Sequence, residues 1–436
     1  LAGLIFAASA VLGSRFPAIK FAWFNYILMI SGAVMVNLKV FMGEADVMFT
    51  SYPPLQAAPA YYLGIILFAV GALFYCFQFL FAIGIAKKEG WQQGSLPLFT
   101  FGLVVAAIIA IYTLIQGAIT FIPTFLWSLE IIPHEWMMAN TELYRINFWG
   151  FGHSAQQINL AAMVSIWYFL GTLTVGSKPV NEKFSRWAFL LYLVGINLGS
   201  VHHALVDPGL TSTYRIVNTS YLAFAAVIGS LIHALSVPAA IETAQRKKGL
   251  TNGLFEWLTK GPWSNPAWSG LWISLIIFGF IGGVTGVIMS VEQLNVLHHN
   301  NLRLPGHFHA TVVGGTSLAF MVLAYSVIKL VLQRQLIGEK IAKFQPYVFG
   351  VGILLLITGM TFSGIMGVPR RHWDISLVGG GEIFQEAGAM LSLIGIGGIV
   401  AFIGLLMFIM VAVLSVFFGK KIPPKNEPHN PPYVAG

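Results

Sequence analysis

The pentapeptide PGHFH, residues 305–309, opens an apolar run that covers residues 310–332. An α-helix turns by about 100° per residue, so the side chains of His307 and His309 point about 200° apart, to opposite faces. One ion cannot be bound by both side chains. The pattern at the mouth of an apolar helix therefore favours two separate metal centres, one on each side of the helix. Taken alone, it also fits two interfacial histidines with solvated tips.

The rest of the chain is equally apolar. Of its 436 residues, 57% are hydrophobic and only 9% are charged, which is typical of an integral membrane protein and of no soluble domain of this length. We expect the lipid bilayer to surround it and no nucleic acid to bind it. The single cysteine, Cys76, lies in an apolar run. Disulfide frameworks, four-cysteine zinc sites, cysteine-ligated iron–sulfur clusters and c-type haem attachment are therefore excluded within this chain.

The hydrophobic runs predict an all-α membrane bundle with one partial N-terminal helix and about ten full transmembrane helices. Each full run is long enough for a bilayer core of ~30 Å. The partial span covers residues 1–13, and the full spans cover 21–42, 60–86, 98–126, 146–174, 185–205, 216–241, 268–290, 305–332, 345–367 and 388–418. We expect residues 1–418 to form a single transmembrane domain. Residues 419–436, rich in Lys, Pro and Asn, are expected to be a polar, solvated tail.

The basic residues predict the orientation of these spans. All but six of the 24 Lys and Arg residues fall in alternate loops, on one side of the membrane. The positive-inside rule makes that side cytoplasmic, in a multi-pass protein of the inner membrane. Five histidines then lie at similar depth in the outer half of the bilayer, where ionisable groups are functional candidates. They are His153, His202, His203, His307 and His309.

Adjacent histidines followed by Asp207-Pro208-Gly209 form a second motif. The side chains of His202 and His203 would diverge by about 100° on a regular helix. They can share one metal if the helix end loosens, which the following Asp-Pro-Gly allows. With His153 from another span they make three imidazoles, a common ligand set for copper, iron or zinc.

Together these motifs resemble those of subunit I, the catalytic subunit, of the haem–copper oxygen reductase superfamily, closest to its B-type branch. The matching stretches follow the family order across residues 1–418. They are Tyr52-Pro53-Pro54-Leu55, Gly152-His153, Val201-His202-His203 with Asp207-Pro208-Gly209, Pro262-Trp263-Ser264-Asn265-Pro266, Leu304-Pro305-Gly306-His307-Phe308-His309 and Val368-Pro369-Arg370-Arg371.

The resemblance implies a catalytic membrane domain with two haems, one low-spin and one high-spin, and one non-haem metal ion, Cu or Fe. His153, His202 and His203 would ligate the non-haem metal. His307 would be the proximal ligand of the high-spin haem that faces this metal. His309 would ligate the low-spin haem on the opposite face of the helix.

The resemblance also implies a site for the haem propionates. Arg370 and Arg371 would pair with these carboxylates, which planar guanidinium groups suit. Asn295 and His299, just before the PGHFH helix, are expected near the propionates or a proton exit.

Two departures from the family pattern follow. The low-spin haem of the family needs a second histidine, which would fall roughly a dozen positions before Leu1. We expect a missing segment or a separate chain to supply the first two helices; the alternative is that the low-spin haem is lost. Oxygen-reducing members carry a tyrosine four residues after the first metal-ligand histidine, where this chain has Gln157. At that spacing Gln157 shares a helical face with His153 and is a further candidate metal ligand.

Loss of the phenol favours a nitric oxide reductase, because reduction of two NO to N2O and water needs no radical donor. The alternatives are a terminal oxygen reductase (cytochrome c oxidase-like) without the tyrosine, an NO dismutase-like enzyme, and a non-catalytic haem-binding or sensor protein. An electron-donor subunit on the outer face, cupredoxin-like (CuA type) or a cytochrome c, is the expected partner.

Overall fold

The structure, a computed structural model, describes residues 2–8, 16–89, 94–195, 200–207, 209–371 and 381–423. Over these residues the regular secondary structure is helical. The α-helices are α1 (Ala2–Phe6), α2 (Ile19–Phe41), α3 (Pro59–Lys88), α4 (Leu98–Ser128), α5 (His134–Ala139), α6 (Thr141–Val175), α7 (Glu182–Gly195), α8 (Ser212–Val217), α9 (Ala223–Lys247), α10 (Glu256–Thr259), α11 (Pro266–Leu275), α12 (Gly283–Ser290), α13 (Glu292–His298), α14 (Arg303–Phe308), α15 (Leu318–Leu330), α16 (Glu339–Ile365), α17 (Gly381–Glu386) and α18 (Gly388–Phe418). A 3₁₀ turn covers Ser200–His203, and π-helical segments cover Asn218–Leu222, Ile276–Gly282 and His309–Ser317.

Nine helical stretches among the described residues are long and apolar enough to cross a membrane. They are Ile19–Phe41, Pro59–Lys88, Leu98–Ser128, Thr141–Val175, Ser212–Lys247, Pro266–Ser290, Arg303–Leu330, Glu339–Ile365 and Gly388–Phe418. The predicted all-α membrane bundle is confirmed, and the protein is a multi-pass membrane protein. The remaining predicted full span, 185–205, is described in two parts, α7 and the 3₁₀ turn, with residues 196–199 outside the described range.

The chain divides into two compact units. The first contains Leu1–Ala162 and Tyr192–Asn218, and the second contains Met163–Leu191 and Thr219–Gly436. The first unit therefore carries the candidate metal-ligand histidines, and the second carries the PGHFH helix. That residues 1–418 act as one catalytic domain stays a prediction.

In the first unit, glycines let α2 and α3 approach closely. A Cβ added at Gly64 would lie 2.7 Å from the Gly32 carbonyl oxygen, and one at Gly71 would lie 2.7 Å from the Asn25 carbonyl oxygen. Small residues bring membrane helices into this contact because no side chain separates the backbones.

Buried aromatic residues fix the part of α6 that precedes His153. Phe148 packs edge-on against Phe121, with ring centroids 6.3 Å apart, and both side chains are buried. Trp149 packs against Phe148 at 5.2 Å and is also buried. Large buried rings make many dispersion contacts, so this cluster holds the helix in one rotation about its axis.

In the second unit, the two longer π-helical segments pack against each other through glycines. A Cβ at Gly314 would lie 2.5 Å from Ile277 Cγ2, and one at Gly315 would lie 2.7 Å from Phe278 Cβ. The Ser274 hydroxyl donates a hydrogen bond to the Gly315 carbonyl oxygen at 2.7 Å. This contact fixes the helix that carries the two histidines of the PGHFH motif.

The beginning of the predicted C-terminal tail is ordered against a loop. Gln335 N–H donates to the Lys420 carbonyl at 2.9 Å, and Ile422 N–H donates to the Gln333 carbonyl at 2.7 Å. Residues 419–422 are therefore paired with backbone rather than wholly solvated. The rest of the tail, residues 424–436, lies outside the described residues.

Candidate metal centre and haem-ligand helix

Three histidines of the first unit converge on one point. His153 lies on α6, and His202 and His203 end the 3₁₀ turn. Each offers one ring nitrogen, and the three nitrogens lie within 4.8 Å of one another. Nδ1 of His153 and Nε2 of His203 are 3.1 Å apart. The structure thus brings together the three side chains that the sequence singled out, in an arrangement that a transition-metal ion can bind.

The histidine pair lies in a 3₁₀ turn rather than in an α-helix. In the 3₁₀ turn, the ring centroids of His202 and His203 are 4.3 Å apart and their planes differ by 34°. Both rings face His153, at 4.6 Å and 5.3 Å between centroids. The chain therefore departs from a regular α-helix at this motif, but as a 3₁₀ turn, which is tighter than an α-helix rather than loosened.

Gln157 lies one turn beyond His153 on α6, as its spacing predicts. Its amide nitrogen is 3.3 Å from Nε2 of His153. Its amide oxygen is buried and has no hydrogen-bond donor. Buried polar atoms are rarely left unsatisfied, so this acceptor oxygen, on a side chain that contacts His153, suits a donor or a cation bound beside that ring. The residues present therefore suit a non-haem metal, and ligation by Gln157 stays a prediction.

A tryptophan packs against one of the metal-site histidines. The Trp149 indole stacks on the His203 ring, with centroids 3.9 Å apart and planes at 2°. Its Nε1–H donates to the Tyr52 hydroxyl at 2.6 Å. Tyr52 in turn lies under the guanidinium of Arg145, 4.5 Å from the ring centroid to Cζ. The orientation of one candidate ligand is thereby tied to the Tyr-Pro-Pro-Leu loop.

An ion pair between Arg145 and Asp207 connects the same network to the loop after the histidine pair. Arg145 donates from Nε and Nη2 to the two carboxylate oxygens of Asp207, at 2.7 Å each. Arg215 donates to the Asp207 carbonyl at 3.0 Å. Because Asp207 follows His203 by four residues, these bonds fix the loop that presents the histidine pair. Sequence reasoning missed this network, although it quoted Tyr52 and Asp207 as motif residues.

The PGHFH helix of the second unit holds its histidines in defined tautomers. The Thr285 hydroxyl donates to the Ile281 carbonyl at 2.7 Å, so it accepts from Nδ1–H of His307 at 3.0 Å. Nδ1–H of His309 donates to the Pro305 carbonyl at 2.8 Å. In both rings the lone pair is then on Nε2. Histidines that ligate a metal are commonly oriented by such a hydrogen bond from the other nitrogen, so both side chains fit axial haem ligation.

The predicted propionate residues lie on two loops that are joined by backbone hydrogen bonds. Leu302 N–H donates to the Val368 carbonyl at 3.0 Å, and Arg370 N–H donates to the Asn300 carbonyl at 2.8 Å. These bonds place the Val-Pro-Arg-Arg segment, which includes Arg371, beside the residues that precede α14. Binding of propionates by Arg370 and Arg371 stays a prediction.

Asn295 and His299 belong to the segment just before that loop. Asn295 is buried, and its side-chain amide donates to the Met289 carbonyl at 2.7 Å. His299 N–H donates to the Asn295 carbonyl at 2.7 Å. The two residues therefore end α13 in an ordered turn, and a role near the propionates also stays a prediction.

Comparison with known proteins identifies the family to which this arrangement belongs. The family model described as "Cytochrome C and Quinol oxidase polypeptide I" matches residues 1–400. The chain belongs to this family, the subunit I family of haem–copper oxidases. Members of the family are membrane oxidoreductases that bind haem and a copper or other metal centre.

Individual relatives agree with this assignment. The chain is 27% identical over 424 residues to cytochrome c oxidase subunit 1 of Thermus thermophilus, covering 94% of this chain and 71% of the relative. It is 24% identical over 387 residues to cytochrome c oxidase subunit 1 of Bacillus subtilis, covering 85% of this chain and 57% of the relative. A dimeric heme-copper terminal oxidase solved by cryo-EM matches with a TM-score of 0.86 and 25% identity, over 98% of this chain and 76% of that one.

Proposed function

We propose that this chain is the catalytic subunit of a B-type-like membrane nitric oxide reductase, which converts two NO, two electrons and two protons to N2O and water. The observation that carries the proposal is Gln157, placed against the His153 ring at 3.3 Å where oxygen-reducing members are expected to carry a tyrosine. A carboxamide has no phenolic proton or radical to give. Coupling of two NO molecules requires neither, because no O–O bond is broken.

Two haems and one non-haem metal complete the proposed enzyme. His307 and His309 would hold the haems, and His153, His202 and His203 would hold the metal. The high-spin haem iron and the non-haem metal, when bound, supply the electrons and the electrophilic centres at which N–O chemistry occurs. The protein's own part is to orient these imidazoles and to keep the buried Gln157 amide beside them. We leave Cu and Fe as equal candidates, since three imidazoles suit both.

The chain itself offers no cysteine or c-type haem motif for receiving electrons at the surface. Cys76 is buried within α3 and is the single cysteine of the sequence. We therefore propose an electron-donor subunit, cupredoxin-like or a cytochrome c. The distribution of basic residues supports an inner-membrane location with the active site in the outer half of the bilayer.

A terminal oxygen reductase is the second candidate, and the comparisons favour it. The two relatives named above are both cytochrome c oxidases by name. Relatives that are 27% and 24% identical belong to the same family, but at this sequence distance the substrate can differ. The choice between NO and O2 therefore depends on the tyrosine position rather than on overall similarity.

Turnover of the purified, donor-reduced complex separates the candidates. NO and O2 electrodes run in parallel, and N2O is measured by gas chromatography. For a nitric oxide reductase we expect rapid loss of NO, formation of one N2O for every two NO consumed, and slow uptake of O2. Rapid O2 uptake with negligible NO loss would instead establish the oxygen reductase. Release of O2 during NO loss would identify an NO dismutase.

A further inference from the structure

Arg303 is the first residue of α14, and its side chain is buried, with 9% of its surface exposed. The ion pairs among the described residues involve other basic side chains, so none of the carboxylates in that part of the chain neutralises this guanidinium. Removing an unpaired charge from water is costly unless a counter-charge or several hydrogen bonds compensate for it. The position of Arg303 therefore favours an anionic partner.

The hydrogen bonds of Arg303 leave donors unused. Its Nη1–H contacts Nε2 of His298. A guanidinium can only donate, so Nε2 of His298 accepts and the ring proton is on Nδ1. Nδ1 of His298 and Nε of Arg303 are both buried and have no hydrogen-bond partner. Two buried N–H donors and one positive charge thus find no acceptor among the residues that the structure describes.

The backbone around Arg303 is closely packed. A methyl group at Gly364, near the end of α16, would overlap the backbone nitrogen of Arg303. Arg303 N–H also donates to the side-chain oxygen of Asn301 at 3.1 Å. The neighbouring Leu302 is bonded through its N–H to Val368. These contacts fix the main chain from which the Arg303 side chain extends, and His298 is the contact of the guanidinium.

Arg303 shares a helical face with His307, four residues later. An anion that contacts Arg303 would thus belong to a group bound on the His307 side of the helix. A haem carries its two carboxylates at one edge, which suits a forked guanidinium. A phospholipid phosphate or a chloride ion has the same charge, but neither is linked to His307.

We propose that Arg303, oriented by His298, binds a propionate carboxylate of the haem that His307 ligates. This inference rests on the proposed haem at His307, and it adds a residue to the two arginines that the family resemblance suggested. It does not depend on whether NO or O2 is the substrate. The Nε–H and Nη–H groups of Arg303 would donate to the carboxylate, and Nδ1–H of His298 would be a further donor.

An equilibrium redox titration of the intact complex under argon, without NO or O2, tests this proposal. A cation near the haem favours the ferrous state, which carries one positive charge less than the ferric state. Arg303→Gln is expected to shift the reduction equilibrium of the high-spin haem toward the ferric form by on the order of tenfold, for a unit charge about 10 Å from the iron. The low-spin haem should keep its wild-type equilibrium.

Two further variants make the titration decisive. Arg303→Lys keeps the charge and is expected to stay within about threefold of the wild-type equilibrium, even if Arg303→Gln fails to fold. Arg334→Gln removes one positive charge from the same unit, at a residue that donates to the Gly419 carbonyl, and should shift neither haem. An Arg303→Gln protein with an unshifted high-spin haem, or with both haems shifted equally, would overturn the proposal.

The positioning role of His298 has its own readout. His298→Leu removes the acceptor of the Arg303 hydrogen bond, and should give a smaller shift of the same sign. His298→Gln restores an acceptor oxygen and should recover the wild-type equilibrium of the high-spin haem. Failure of the glutamine to recover it would remove His298 from the proposal.

Loss of bound phospholipid from Arg303→Gln, measured by mass spectrometry, without a redox shift would assign the site to a lipid phosphate. A wild-type protein without a high-spin haem would instead contradict the proposed function.

Discussion

The two candidate sites differ in the kind of buried atom that they leave unsatisfied. At the three-histidine cluster the atom is an acceptor, the amide oxygen of Gln157. At the mouth of the PGHFH helix the atoms are donors, Nε of Arg303 and Nδ1 of His298. An acceptor on a side chain that contacts His153 suits a cation, and donors around a guanidinium suit an anion. Unsatisfied polar atoms therefore indicate both where a group binds and the sign of its charge.

The largest effect is expected from removing an imidazole from the metal site. His202→Ala or His203→Ala deletes one of three converging nitrogens, and should lower metal affinity and turnover by more than about 100-fold, since even outer contacts of metal ligands are worth 10- to 100-fold. Metal per chain, measured by plasma mass spectrometry, and haem per chain, measured as the pyridine complex, are the readouts. His134→Ala, on α5, should keep both at wild-type values. A full metal complement in the His202 and His203 variants would exclude this site.

Removing the unsatisfied acceptor is expected to have the next largest effect. Gln157→Leu is close in size and lacks the amide oxygen, so NO turnover should fall by roughly 10- to 100-fold. Gln157→Glu keeps an oxygen and should retain most of the activity. The matched control is Gln156→Leu, because the adjacent side chain points about 100° away on the helix. Equal losses in the Gln156 and Gln157 variants, measured with an NO electrode, would show a general packing defect.

Disrupting the ion pair that supports the histidine loop should be milder. Asp207→Asn keeps the shape and removes the charge that Arg145 contacts through two hydrogen bonds. Metal affinity should fall by about tenfold, as for other residues that orient metal ligands. Glu44→Gln breaks the exposed ion pair with Lys39, and should change nothing measurable because surface pairs contribute little. Competition with a metal chelator measures the metal affinity of both variants. Unchanged affinity in Asp207→Asn would restrict the Arg145–Asp207 pair to a structural role.

The smallest expected effect is on the pH dependence of stability. Burial, followed by the charge of Arg303, lowers the pKa of His298 below its ordinary value of 6.5. Below that pH the unfolded chain binds more protons at this position than the folded chain, so the free energy of unfolding falls as the pH decreases. The melting temperature of His298→Gln should therefore drop less between pH 7.5 and pH 5.5 than that of the wild type, by ~1–2 °C. Identical pH profiles would contradict this.

Local patterns in the sequence were sufficient for much of this architecture. Hydrophobic runs longer than a bilayer core predict the spans, because each membrane helix satisfies its own backbone hydrogen bonds. The convergence of His153 with the histidine pair was also predicted, since a shared metal requires it. Gln157 is placed by helical spacing alone. These features depend on contacts within one helix or on the chemistry of one ligand set.

The supporting residues could not be predicted in the same way. Three separate segments are held together by contacts among Tyr52, Arg145, Trp149 and Asp207. No periodicity in the sequence specifies contacts between distant segments. In the sequence, Arg303 is simply one of the six Lys and Arg residues that lie outside the basic loops. Its spacing of four residues from His307 was the available signal, but burial without a carboxylate partner is a property of the folded chain.

The paired π-helical segments make the second unit sensitive to changes in chain length. A π turn contains about one residue more than an α turn, so a π-helical segment holds more residues than an α-helix with the same number of turns. Deleting one residue within 310–313 would leave both histidines in place and move Gly314 and Gly315 one position earlier in the segment, a rotation of roughly 100° about the helix axis. The two glycines would then no longer face Ile277 and Phe278.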